Sequence, residues 1–282
     1  MGVNQKIRVW VNRVILSGFC MLSSVSQSYA DNGLVVGILP MESPVGLFQR
    51  FLPLREYLSS RLGREVSIES ASDYQQHVKR TDNRRYDIVL TAPHFALRAV
   101  DGGKYNVVAS FNKPLSAVVV VAEKSKLQHL KDIAARNIAT PSKQAIVTMV
   151  GQSYLSEHGL KGVDQPRYRN LRTHNAAYRA VIAGDADAAI ISNFTFYKAK
   201  KEGVKLKKIG ESQSFPGIGV LVAKDIAVSV QQAIRQAFLE LQTTPQGRAL
   251  LKKISHPGYG PAKAADFESM RKYLQDSDIG SK

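Results

Sequence analysis

The sequence predicts an α/β chain folded as two lobes of like construction. Strand-like and helix-like runs alternate along most of residues 34–253, the pattern of a largely parallel sheet covered by helices. Two strand runs, Asn106 to Ser110 and Ser116 to Ala122, break that alternation with only Phe111-Asn112-Lys113-Pro114-Leu115 between them. Such a pair can carry the chain from one lobe to the other. A strand–turn–helix unit beginning at Asp87 also recurs about a hundred residues later at Asp187.

The elements follow in order. Leu34 to Leu39 is a short apolar run stopped by Pro40, as a buried strand is. Ser43-Pro44 opens a helix, with Ser as N-cap and Pro in the first turn. Leu47, Phe48, Phe51, Leu52, Leu54, Leu58 and Leu62 give that helix an apolar stripe, Pro53 is expected to kink it, and Gly63 ends it. Strands are predicted at 66–69 and 86–91, and helices at 74–80 and 93–100. Past the paired strand runs come a short helix at 130–135, a strand at 137–140 and a helix at 145–158 ended by Gly159, with His158 favoured at the negative helix terminus. A strand at 167–171, a helix at 175–183 ended by Gly184, a strand at 188–192, a helix at 194–201 and a strand at 204–209 continue the pattern. A strand at 219–223 and helices at 228–241 and 244–253 precede a last amphipathic segment at 264–274.

The recurring unit places an Asp before an aliphatic strand, a polar strand end and then a helix, once at Asp87 to His94 and again at Asp187 to Phe194. Ligands of open α/β sheets bind beyond the carboxyl ends of strands, where helix N-termini point. Both polar turns are therefore expected to face one cleft.

Residues 1–30 read as an address. Lys6, Arg8 and Arg13 precede an apolar stretch from Val14 to Val25, and Ser28-Tyr29-Ala30 supplies small residues at the −3 and −1 positions of a cleavage site. Cys20 follows Phe19, which excludes a lipoprotein signal. Cleavage after Ala30 leaves 252 residues without cysteine, suited to an oxidising compartment, and lowers the net charge from +16 to +13. The remaining cations are scattered and carry no aromatic-interleaved pattern, so export and spacing both argue against nucleic acid. A basic exported surface suits anionic solutes or membrane surfaces, or is simply solvated.

Four stretches together resemble a known family. They are Asp87-Ile88-Val89-Leu90-Thr91-Ala92-Pro93-His94; Thr173-His174-Asn175-Ala176-Ala177-Tyr178-Arg179-Ala180-Val181 with Gly184-Asp185-Ala186-Asp187-Ala188; Phe215-Pro216-Gly217; and Thr243-Thr244-Pro245-Gln246-Gly247-Arg248-Ala249-Leu250-Leu251. In this order, and over nearly the whole chain after residue 30, they look like the phosphate/phosphite/phosphonate-binding proteins of ABC transporters. The resemblance implies a type 2 periplasmic-binding-protein fold, with two α/β lobes, each a mixed sheet flanked by helices, joined by a two-segment hinge. It places the first lobe at 31–112 plus 216–282 and the second at 113–215, with crossovers near Phe111 to Leu115 and Ser212 to Gly217. It implies capture of a small anionic solute, phosphonate-, phosphite- or phosphate-like, by a periplasmic monomer that delivers it to an ABC permease.

Ligand positions carry over residue by residue. The family's Ser/Thr-rich anion turn reads Thr140-Pro141-Ser142-Lys143-Gln144-Ala145 in this chain. It keeps Thr140 and Ser142 and lacks the hydroxyl cluster and following glycine; Lys143 offers charge instead, and Gln144 completes the turn. His174 matches a ligand-contact position. Thr91, Ala92 and His94 occupy the first-lobe turn. Asn193 stands where the family has an acidic contact, and a neutral amide there changes ligand preference.

Other chemistry is poorly supported. None of the six histidines is paired at i, i+4 or set beside a cysteine, so no metal or other cofactor is expected. No Gly-x-Ser-x-Gly turn and no phosphate-cradling glycine loop occurs. Ser142 and His174 could imitate a dyad across the cleft, but no acidic orienter accompanies them, so no catalytic residue is assigned. Two other readings stay open: a ligand-binding protein that signals to a membrane sensor kinase and, more weakly, an exported hydrolase.

Overall fold

The computed structural model describes residues 33–276, so the signal-peptide reading of residues 1–30 lies outside the described residues. The chain begins with β1 (Leu34–Ile38), α1 (Pro44–Leu62), β2 (Val66–Ser70), α2 (Tyr74–Asp82), β3 (Ile88–Thr91), α3 (Pro93–Asp101) and β4 (Tyr105–Phe111). It then crosses to β5 (Ala117–Ala122), β6 (Asn137–Thr140), α4 (Ile146–Glu157), β7 (Arg167–Asn170), α5 (His174–Ala183), β8 (Ala188–Ser192), α6 (Asn193–Lys201) and β9 (Leu206–Glu211). It crosses back to β10 (Gly219–Ala223), α7 (Val228–Thr243), α8 (Pro245–Lys253), β11 (Tyr259–Gly260) and α9 (Lys272–Asp276).

Two mixed sheets result. The first has the order β11-β4-β10-β3-β1-β2 and the second β7-β6-β8-β5-β9. Their plans match. Each has three parallel strands (β2-β1-β3 and β7-β6-β8) followed by an antiparallel strand (β10 and β5). In both sheets the antiparallel strand is the first one laid down after a crossing. The strand runs on either side of residues 111–115 accordingly enter different sheets and do not pair with each other. The two crossings meet at an antiparallel bridge between Leu115 and Phe215.

The recurring Asp has a structural explanation. The Asp87 carboxylate accepts from the Val35 N–H of β1 at 2.7 Å, and the Asp187 carboxylate accepts from the Asn137 N–H of β6 at 2.9 Å. Each locks the start of a central strand to the start of its parallel neighbour and satisfies a donor that the ladder leaves over. Arg84, in the left-handed region at φ 59°, pairs with Asp87, and Arg136 pairs with Asp187.

Packing follows the two-residue period of the strands. In β5, Ala117, Val119 and Val121 join a core continuous with that of the first sheet, while Val118 and Val120 join Ala177, Val181 and Phe196 beneath α5 and α6. Both faces of β5 are therefore apolar, as a strand covered on both sides requires. Tyr86 packs against β1 where Gly37 stands; a Cβ at that position would lie 2.3 Å from the ring.

Some expectations need correction. Ser43 caps α1, Gly63 ends it in the left-handed region, and Pro53 lies inside the helix. Only Leu47, Phe51, Leu54 and Leu58 of its apolar stripe are buried; Phe48 and Leu52 are exposed. The segments at 130–133 and 264–270 are 3₁₀ turns, and β9 begins two residues later than the sequence pattern suggests. The His158 ring does bond the Tyr154 carbonyl, at 2.8 Å, at the end of α4. Among the described residues no helix is long and apolar enough to cross a membrane.

Burial of two histidines makes stability pH-dependent. His77 and His94 are fully buried, and burial lowers each pKa from 6.5 to about 3. As pH falls through 6.5 the unfolded chain takes up these protons and the folded one does not. Stability present at pH 7 is then lost, on the order of 2 kcal/mol per histidine between pH 7 and 5. Urea unfolding at both pH values should show this loss, and the His77→Phe variant should show less of it.

Candidate functional site

The three parallel strands of each sheet end at the same cleft, so the helix that follows each of them begins there. Six helix N-termini result, and all six N-cap residues, Ser43, Asp73, Ala92, Ala145, Thr173 and Ser192, line the cavities of this cleft. Their aligned peptide dipoles give the cleft a positive potential. Ser43, Asp73, Thr173 and Ser192 cap their own helices by side-chain bonds. Ala92 and Ala145 cannot, so the first turns of α3 and α4 meet the cleft without a side-chain acceptor.

The cleft divides into an inner cavity and two outer chambers. The inner cavity, about 80 Å³, is bounded by Leu39, Phe111, Ile146, Val147, Phe194 and Ile218, and Arg50, Tyr74, His174, Ser192 and Thr195 are its polar lining residues. One outer chamber, about 560 Å³, holds Ser72, Asp73, Ser142, Lys143 and Arg172. The other, about 410 Å³, holds Arg50, Lys113, His174, Lys198, Lys201 and Lys252, with Glu42 its one carboxylate. Arg50, His174 and Thr195 line both the inner cavity and this basic chamber.

The polar groups are fixed by their neighbours. His174, the first residue of α5, accepts the Ser192 N–H at its Nδ1, 3.2 Å away, so its proton resides on Nε2. Burial lowers its pKa to about 4, against the opposing charge of Glu42, and the ring is a neutral donor at pH 7. Thr195 Oγ1 lies 2.9 Å from Ser192 Oγ, which also accepts the Thr195 N–H. Arg50 reaches from α1 to pair with Glu42 and the Ser255 carbonyl, while its buried Nε–H has no hydrogen-bond partner. His256 accepts the Gly258 N–H at Nδ1, which leaves its buried Nε2 as a donor that is likewise unpartnered.

Contacts already span the cleft. His94 Nε2 donates to the Gln144 carbonyl at 3.2 Å, the Arg172 guanidinium donates to the Ser72 carbonyl at 2.9 Å, and Lys198 lies 3.8 Å from Glu42.

The residues singled out from sequence fall into three groups. Ala92 and His174 line the inner cavity. Ser142 and Lys143 line the outer chamber on the other side from the lysines, where Ser142 Oγ accepts the Gln144 N–H and makes no hydrogen bond to His174. The rest are engaged within the fold. Thr91 shares a hydrogen bond with His77, Thr140 donates to Asn170, and His94 and the Gln144 carbonyl bond each other. Asn193 donates to the Pro114 carbonyl and so ties α6 to the first crossing. Sequence reasoning missed Arg50, Ser192, Thr195, Phe111, Phe194 and His256. The spacing of Ser192 and Thr195 is a helix-capping signal that could have been read. Arg50 carries no signal, because it is one of several cations on an amphipathic helix. Among the described residues no group of three or more His, Cys, Asp or Glu is placed to hold a metal ion.

Residues 36–267 match the family described as "ABC transporter, phosphonate, periplasmic substrate-binding protein". The chain is 23% identical over 260 residues to the phosphonates-binding periplasmic protein of Escherichia coli K12, covering 87% of this chain and 76% of that one. A binding-protein component of an ABC phosphonate transporter from Pseudomonas aeruginosa superposes with a TM-score of 0.75 at 17% identity, over 85% of this chain and 84% of that one. PhnD1 of Prochlorococcus marinus, solved with methylphosphonate, superposes with a TM-score of 0.78 at 16% identity, over 88% of this chain and 98% of that one. At such identities the structural likeness speaks for the two-lobed fold alone.

The inward hydroxyls of Thr91 and Thr140 are structural in this geometry. Thr91→Val leaves the buried His77 ring without its partner and Thr140→Val leaves Asn170 without its donor. Thr91→Val should cost about 1–3 kcal/mol in urea unfolding, because the His77 ring is buried, and Thr140→Val about 0.5–1.5 kcal/mol, because Asn170 is exposed to water; unfolding midpoints equal to wild type would contradict the assignment.

Proposed function

Since the chain belongs to the family of periplasmic phosphonate-binding proteins of ABC transporters, we propose that it captures an oxyanion in the cleft between its two sheets and delivers it to a membrane permease. The observation that carries this reading is the Arg50–His174–Thr195 hub, set where six helix N-termini converge. A tetrahedral oxyanion is acceptor-only when fully ionised. The hub offers a guanidinium, a neutral imidazole N–H and a hydroxyl, together with the first-turn N–H groups of α4.

The lobes are residues 31–112 with 216–282, and residues 113–215. The two crossings, tied by the Leu115–Phe215 bridge and by Asn193, serve as the hinge. Closure is stabilised by whatever ligand contacts exist only when both lobes meet. Arg50 comes from the first lobe and His174 and Thr195 from the second, so one anion held by all three favours the closed state. The cleft-spanning pairs of His94 with Gln144, Arg172 with Ser72 and Glu42 with Lys198 add to it. Export to the periplasm through residues 1–30 accords with the family and with the chain's lack of cysteine after residue 20. Binding rather than turnover accords with the separation of Ser142 from His174.

A thermal-shift screen of the protein, stripped of carried ligand, against phosphate, phosphite, alkylphosphonates, sulfate, sulfonates and carboxylates tests the reading. A ligand at a hundred times its Kd should stabilise by about 2.7 kcal/mol. His174→Ala should weaken the ligand so identified about 10- to 100-fold by calorimetry, as loss of a hydrogen bond to a charged group does. With a ring pKa of about 4, the contribution of His174 should not change between pH 6 and 8. A panel with no shift, or an unchanged affinity in the variant, would overturn the reading.

A further inference from the structure

The basic chamber beside the hub carries more positive charge than one anionic head accounts for. Its space of about 410 Å³ is lined by Arg50, Lys113, Lys198, Lys201 and Lys252, with Glu42 as the one carboxylate. Glu42 is committed twice, to Arg50 and to Lys198 across the cleft. Lys113, Lys201 and Lys252 are exposed there and make no ion pair or hydrogen bond among the described residues. They come from three separate pieces of the chain: the first crossing, α6 of the second lobe and α8 of the first. Lys201 and Lys252 stand in the last turns of their helices, where the dipole favours a cation. Lys113 has no helix end to complement, yet it lines the same chamber. Two residues of the chamber wall also hold a buried donor without an acceptor, the Arg50 Nε–H and the His256 Nε2–H.

Three unpaired ammonium groups around one concave space repel one another, and the repulsion grows as the lobes close and water leaves. A negative group placed among them removes that cost. The arrangement is selective for the sign of the charge. An ammonium group entering the chamber meets no uncommitted carboxylate, whereas a phosphate or carboxylate meets three uncommitted cations. The chamber shares Arg50, His174 and Thr195 with the inner cavity, so one molecule can reach both. We propose that the ligand carries a second anionic group, held by the basic chamber while the hub holds the first. The tetrahedral oxyanion sits on Arg50, His174 and Thr195, and a phosphate or carboxylate joined to it by a short link sits among Lys113, Lys201 and Lys252. This rests on the oxyanion-binding reading above and specifies what the rest of the ligand carries. Such contact differs from steering, which speeds the capture of every anion through the summed field of all the cations.

Calorimetry on the stripped protein, at one fixed ionic strength, compares ligands that differ in the remote group. Propylphosphonate is set against phosphonopropionate, whose carboxylate replaces the terminal methyl, and phosphate against diphosphate; aminoethylphosphonate supplies the opposite charge. The second anionic group should tighten binding about tenfold or more in one or both pairs, as bonds to charged groups do. A gain in one pair alone identifies that group as carboxylate or phosphate. Aminoethylphosphonate should bind no more tightly than propylphosphonate. In the Lys113→Gln/Lys201→Gln variant the gain should fall below about threefold, with the affinity for propylphosphonate changed by less than about threefold. The single substitutions decide if the double variant fails to fold. Lys253→Gln, at an exposed position outside the chamber, should leave the gain intact. No gain in either pair, a gain that survives the lysine substitutions or disappears equally in Lys253→Gln, or tighter binding of aminoethylphosphonate would overturn the second-group assignment and leave oxyanion capture standing. No binding by any of the five ligands would overturn both.

Discussion

Parallel pairing within each sheet is the constraint on which the rest depends. Three adjacent parallel strands must each be followed by a connection that returns to the opposite edge, and here that connection is a helix in all six cases. Every such helix begins where its strand ends. Because the two sheets face each other across those ends, six N-termini converge on one cleft regardless of which side chains decorate it. The carboxylates of Asp87 and Asp187 hold the other ends of the central strands in matching fashion. The antiparallel strands β5 and β10 are what allow the chain to leave one sheet and enter the next through short crossings.

On that common frame the side chains divide the cleft unevenly. Capping hydroxyls and carboxylates satisfy four of the six helix starts from within, while the two alanine-capped starts open on the inner cavity. Apolar residues then narrow the cavity on the α4 side, and a neutral histidine and a half-buried arginine supply directed donors on the other. The surplus of positive charge along the chain, +16 overall, is expressed locally as a ring of lysines around one mouth. Such a mouth raises the local concentration of anions and so their capture rate, more than it raises affinity.

The fold was largely legible in the sequence. The alternation of apolar runs, the cap at Ser43-Pro44, the glycines at 63 and 184 and the repeated Asp all encode local geometry, and each stands in the structure as read. The apolar stripe of α1 is narrower than the sequence suggests, because periodicity marks apolar residues and does not show that Phe48 and Leu52 stay exposed. The site was less legible. The family resemblance singled out His174 and Ala92, which line the inner cavity, together with Thr91, Thr140, His94 and Asn193, which spend their polar atoms inside the fold. Arg50 and His256 reach the cleft from the middle of α1 and from a loop after α8, which only the tertiary arrangement brings together.

The central claim is that a single anion bridges the two lobes at Arg50, His174 and Thr195. A crystal structure of the protein with propylphosphonate tests it most directly. The account predicts the phosphonate oxygens within hydrogen-bond distance of His174 Nε2 and the Arg50 guanidinium. A phosphonate seated instead in the outer chamber beside Ser142 and Lys143, with no contact to His174 or Arg50, would contradict it.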